Sequence, residues 1–132
     1  MSIILDKTDM LRLEHEFESV KLIEIKTGKS LLEDFFYGNP TCGLIDLNNN
    51  WVVVAGQHIT IWTPKEVNKV ESEELKDIHS LKVKNQNTIE LLTDPWAKDS
   101  AIWEMCLLSL KTRKIKDFPK YRNKTYSENI QW

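Results

Sequence analysis

The sequence predicts a mainly β protein: antiparallel β-meander hairpins forming an open sheet or sandwich, with at most one short helix. Three observations carry that expectation. Leu11–Phe17 alternates apolar and polar residues, the period-2 pattern of a half-buried strand. Gly43–Leu47, Trp51–Ala55 and His58–Trp62 are short apolar runs, separated by Asn48-Asn49-Asn50 and Gly56-Gln57, residues that tolerate tight-turn backbone. The best helical candidate is a single turn, Ser72–Asp77, with Ser72 as N-cap and Glu73 and Glu74 in the first turn.

The elements follow in order. In the first strand Leu11, Leu13, His15 and Phe17 share one face, and Arg12, Glu14 and Glu16 the other. Val20–Lys26 is a second strand, and Thr27-Gly28-Lys29 a tight turn. Leu31–Tyr37 returns as a strand or short helix, and Gly38-Asn39-Pro40 breaks the chain. After the hairpins of residues 43–62, residues 63–70 supply an edge-like strand, with Pro64 tolerable at its start. Beyond the helical turn come Ile78–Lys84, a turn at Asn85-Gln86-Asn87, and Thr88–Leu92. Asp94–Asp99 is a loop, Ala101–Leu110 a long strand, Lys111–Lys114 a turn and Ile115–Phe118 a short strand. The 132 residues suit a single domain, 1–132, with residues 119–132 as a loose C-terminal tail.

Two segments repeat a plan. Val20–Lys29 and Met105–Lys114 both run from a strand into an aliphatic-Lys-Thr-x-Lys turn, and a shorter strand returns after each. His58–Val70 follows the plan more loosely, and Asn-rich turns at 48–50 and 85–87 precede the second and third units. This succession of hairpins resembles a blade of the WD40 or kelch type of β-propeller over residues 10–118, although the Gly-His and Trp-Asp signatures are absent and Trp62 is followed by Thr63. The resemblance implies an open array of blade-like units, because a closed ring needs about four blades and the chain offers two and a fraction.

Catalytic motifs are missing from the sequence. Its four glycines are scattered singly, so there is no phosphate-cradling loop. His15, His58 and His79 lack the spacing of zinc ligands, and Cys42 and Cys106 lie far apart in apolar settings that suit reduced thiols. Pairs such as Glu33/Asp34 and Asp94/Asp99 are acid–base candidates only in the sense that any neighbouring carboxylates are. The expectation is a protein that is not an enzyme, with no cofactor and no metal. No stretch approaches bilayer length, and Met1–Asp6 has neither a basic lead nor a long apolar run, so the expected location is cytoplasmic.

The net charge of −2 conceals an asymmetry: residues 1–80 carry 14 acidic against 8 basic side chains, and residues 81–132 carry 6 against 10. That character, a small acidic domain without enzyme motifs, is similar to immunity proteins of bacterial contact-dependent and related polymorphic toxin systems. The resemblance implies a partner, a cognate toxin with a basic nuclease domain, neutralised by covering its active-site cleft. The residues expected to make the contact are Glu14, Glu16, Glu18, Glu71, Glu73, Glu74 and Asp77, with one exposed tryptophan. The alternative is a nucleic-acid-binding or regulatory module using the basic segment 111–126, in which Phe118, Tyr121 and Tyr126 interleave with lysine and arginine. The acidic remainder opposes it by repelling phosphate.

Overall fold

The computed structural model describes residues 2–126 and 129–132. The described strands pair into three four-stranded antiparallel sheets, each a meander in which chain neighbours are also sheet neighbours. The first contains β1 (Ile3–Lys7), β2 (Leu11–Glu16), β3 (Ser19–Glu24) and β4 (Ser30–Phe35). The second contains β5 (Cys42–Ile45), β6 (Val52–Ala55), β7 (Ile59–Trp62) and β8 (Val67–Val70). The third contains β9 (Ile78–Asn85), β10 (Thr88–Thr93), β11 (Ala101–Cys106) and β12 (Thr112–Asp117). Single 3-10 turns occupy Glu73–Leu75, where the Ser72 hydroxyl accepts the Glu74 N–H, and Pro119–Tyr121.

The fold class is therefore the expected one, but the blade count differs. Three complete sheets replace two and a fraction because Ile3–Lys7 pairs along β2, Ile4 opposite Glu14 and Lys7 opposite Arg12. Leu31–Tyr37, expected as a strand or short helix, is strand as far as Phe35, where β4 ends. The expected long strand Ala101–Leu110 ends at Cys106, because residues 107–109 turn and Leu110 adopts φ 62.

That turn also corrects the repeat. The Gly28 N–H donates to the Glu24 carbonyl at 2.8 Å, as the Leu110 N–H does to that of Cys106. The Glu24 and Cys106 amides in turn donate to the carbonyls of Lys29 and Lys111. Lys29 is thus equivalent to Lys111, not to Lys114. The strand–turn–strand plan is real, whereas the shared Lys-Thr-x-Lys motif is out of structural register by three residues.

The chain, expected as one domain, gathers into two compact units, Met1–Lys76 and Asp77–Trp132. In the first, the inward faces of its two sheets share one core, with Leu11, Leu13, Val20, Leu22 and Leu32 meeting Ile45, Val52, Val54 and Trp62. Backbone and side chain meet closely here: a Cβ on Gly43 of β5 would lie 2.4 Å from a Leu13 methyl. Polar bonds fix the same junction, with the Ile45 N–H on Asp6 at 2.7 Å and the Thr8 hydroxyl on Asn49 at 2.6 Å. The opposite face of the first sheet is charged. Glu14 lies across from Lys21, and Lys21 from Glu33, the latter pair 3.9 Å apart.

In the second unit, Leu92, Ile102 and Phe118 form a small core covered by Tyr121, Ile130 and Trp132. The stretch expected as a loose tail is therefore docked where it is described: Lys82 lies over the Trp132 ring at 4.2 Å, and Arg122 donates to the Ser100 carbonyl at 2.6 Å. Ser127 and Glu128 of that stretch lie outside the described residues.

Candidate functional site

Alternation along β4 sends Leu32, Asp34 and Phe36 to the buried side, which brings a carboxylate into the core of the first unit. Four donors meet it there. The Phe35 N–H (2.8 Å) and Lys69 (2.9 Å) reach Oδ1, while the Thr60 hydroxyl (2.5 Å) and His58 Nε2 (3.0 Å) reach Oδ2. Burial raises the carboxyl's pKa, but the bonds from Thr60, Lys69, His58 and the Phe35 amide outweigh it, so Asp34 titrates below its ordinary 3.8. The His58 ring stacks on Phe36 with centroids 3.9 Å apart.

A nucleophile relay needs the carboxylate and the hydroxyl on opposite nitrogens of the imidazole. Here Nε2 faces both, at 3.0 Å each, and the Thr60 proton already points to Asp34. The arrangement fastens β4 to β7 and β8. It is not built to activate Thr60.

The fastening sets the geometry of one end of the first unit. Phe17 and Glu18 form the turn between β2 and β3, with Phe17 at φ 53 and its carbonyl 2.9 Å from His15 Nδ1. The Glu18 carbonyl accepts the Phe36 N–H at 2.8 Å, and its carboxylate accepts the Gly38 N–H. The turn tip and the end of β4 therefore lie side by side. Three aromatic rings are presented there to solvent: Phe17 (76% exposed), Phe35 (72%) and Tyr37 (85%). Tyr37 walls a cleft of ≈ 440 Å³ with Gln57, His58, Glu71, Glu73 and Lys76. A second hollow, of ≈ 320 Å³, lies among Glu14, His15, Glu16, Phe17 and Lys21.

The acidic residues expected to contact a partner are thus partly assembled. Glu16 and Glu18 flank Phe17, while Glu71 and Glu73 share the cleft with Tyr37. Glu14 is half-buried and ion-paired with Arg12 at 2.9 Å, and Glu73 pairs with Lys76 at 3.2 Å. Glu74 is exposed outside the cleft lining, and Asp77 begins the second unit. The expected exposed tryptophan is absent: all five are buried or half-buried, and phenylalanine and tyrosine take that place. Phe17, expected on the inward face with Leu11, Leu13 and His15, is turned outward because β2 ends at Glu16. Sequence reasoning also missed the role of Asp34, although its phase with Leu32 and Phe36 was the available signal.

Part of the basic segment is engaged within its own unit, while Lys111, Lys116 and Lys124 are exposed. Arg113 binds Glu104 at 2.6 Å, Lys114 binds Asp117 at 2.5 Å, and Arg122 is held by Ser100. Phe118 is buried, Tyr121 packs beside it, and Tyr126, 70% exposed, stacks on Trp96 with centroids 5.0 Å apart. Cys42 and Cys106 are both free thiols. Among the described residues no group of three or more His, Cys, Asp or Glu side chains is placed to hold a metal ion, and no helix is long and apolar enough to cross a membrane.

No protein-family model matches the chain, and no curated protein does. Among solved structures it is similar to the WD40 β-propeller domain of Doa1, with a TM-score of 0.61 and 10% identity over 85% of this chain and 38% of that one. It is also similar to the tricorn protease, with a TM-score of 0.55 and 17% identity over 84% of this chain and 12% of that one. The chain spans well under half the length of either. At such identities the likeness shows the fold alone, a β-meander of propeller-blade type.

Proposed function

We propose that the protein is a binding module that engages a basic protein surface through the aromatic and acidic end of its first unit. The observation that carries this reading is the gathering of three exposed rings, Phe17, Phe35 and Tyr37, with Glu16, Glu18, Glu71 and Glu73. Exposed aromatics supply contact area at small entropic cost, and the carboxylates around them select and steer a cationic partner. In its narrower form the partner is the nuclease domain of a bacterial toxin, with this chain as the immunity protein. Charge complementarity is what supports that form.

Co-expression with the products of neighbouring genes, followed by affinity purification, tests the reading. The expected result is a stable complex that the double variant Glu16→Lys/Glu71→Lys weakens at least about tenfold. Recovery of no complex, or an affinity unchanged by both reversals, overturns it.

A further inference from the structure

We infer that Phe17 is the anchor of this contact, kept in a strained backbone state because a partner uses its ring. The inference rests on the binding role proposed above. Phe17 occupies the first central position of the two-residue turn closing Glu16 onto Ser19, and its φ is 53. Gly, Asn or Asp adopts positive φ there readily, whereas a bulky aromatic residue does not. Among the described residues the other non-glycine positions with positive φ are Asn49, Asn123 and Leu110. Two of these are the tolerant residue, and the Leu110 side chain is half-buried. Phe17 combines the unfavourable conformation with a ring that is 76% exposed, so burial within the fold offsets little of the strain.

The surroundings hold the turn in place. His15 grips the Phe17 carbonyl, and Glu18 takes the amides of Phe36 and Gly38. These bonds fix the turn and with it the direction of the Cα–Cβ bond, so the ring is presented outward, as an interface anchor requires. The matching surface is an apolar socket bordered by lysine or arginine, because Glu16 shares a hollow with Phe17 and Glu18 follows it in the turn. Glu14 is paired with Arg12, and Lys21 is a cation lining that hollow. A symmetric pairing with a second copy of this chain would set acidic end against acidic end and does not match it.

The test uses the full chain and a fluorescein-labelled peptide of alternating arginine and leucine, with a glutamate–leucine peptide as control. Phe17→Asn, which suits positive φ but lacks the ring, is expected to raise the melting temperature by roughly 2–4 °C. The same change is expected to weaken binding of the cationic peptide at least about tenfold, while Phe17→Trp keeps it within about threefold. A lower melting temperature in Phe17→Asn, or unchanged affinity, overturns the inference. If Glu16→Lys/Glu71→Lys loses the peptide and Phe17→Asn retains it, the anchor fails and the binding surface stands. If the parent chain binds both peptides alike, both fail.

Discussion

Removing the Asp34 carboxylate should be among the most damaging single changes in the first unit. In Asp34→Ala, Thr60 and His58 lose their shared acceptor, and both side chains are buried. An orphaned buried donor costs about 1–3 kcal/mol, so two would cost about 2–6 kcal/mol, and the 3.0 Å contact between His58 Nε2 and the Thr60 oxygen offsets part of that. Lys69 adds little, because it is half exposed and returns to water. Asp34→Asn retains one carbonyl oxygen and should cost less, about 1–3 kcal/mol. Urea unfolding followed by tryptophan fluorescence measures both, and a loss below about 1 kcal/mol in Asp34→Ala would refute the fastening role. The pH dependence has a definite sign. The folded carboxyl titrates below the ordinary 3.8, so its contribution is fully present above that value and is lost as pH falls through the folded pKa. Asp34→Asn should flatten this acid limb of the stability curve, and a limb equally steep in the variant would place the lost protons elsewhere.

Three further outcomes are expected. Burial pushes the Cys42 thiol up to about 11, whereas the Ser109 hydroxyl and the amides of Ser109 and Leu108 lower that of Cys106. Iodoacetamide near pH 8 should therefore alkylate Cys106 first, and mass spectrometry showing Cys42 modified ahead of it would contradict this. Burial also lowers the His79 pKa below 6.5 despite the nearby Asp94 carboxylate. The unfolded chain then takes up the proton first, so stability falls as pH drops below about 6.5, and His79→Gln should reduce that slope in urea titrations at graded pH. Gly43→Ala places a methyl 2.4 Å from Leu13 and 3.2 Å from the Leu5 Cβ, and should cost about 1–3 kcal/mol by overpacking. A variant as stable as the parent would show that the two sheets can separate without loss.

Where one face of a strand is buried and the other wet, side-chain phase is written into the sequence, and the meander was legible for that reason. Leu11, Leu13 and His15 on β2 and the Asn-rich turns before β6 and β10 were read in this way. Ile3–Lys7 was not, because an apolar triplet followed by two charges has no period, and only pairing with β2 makes it a strand. Leu110 hid the end of β11, since a leucine at positive φ gives no turn signal where Gly28 gives a clear one. The site was illegible for a related reason. Asp34 follows Glu33 and looks like more surface charge, yet it is in phase with Leu32 and Phe36 and is carried inward with them. Phe17 is in phase with Leu13 and His15, yet the strand stops one residue before it.

Both residues break the rule that apolar side chains turn inward and charged ones outward, in opposite directions within the same unit. A buried carboxylate is tolerable only because four donors converge on it, and those donors tie β4 to β7 and β8. An exposed phenylalanine at positive φ has its turn held by hydrogen bonds, but its ring gains little from burial. The asymmetry separates the two roles. Asp34 is explained by what it holds together, and Phe17 is the residue for which an outside partner is proposed.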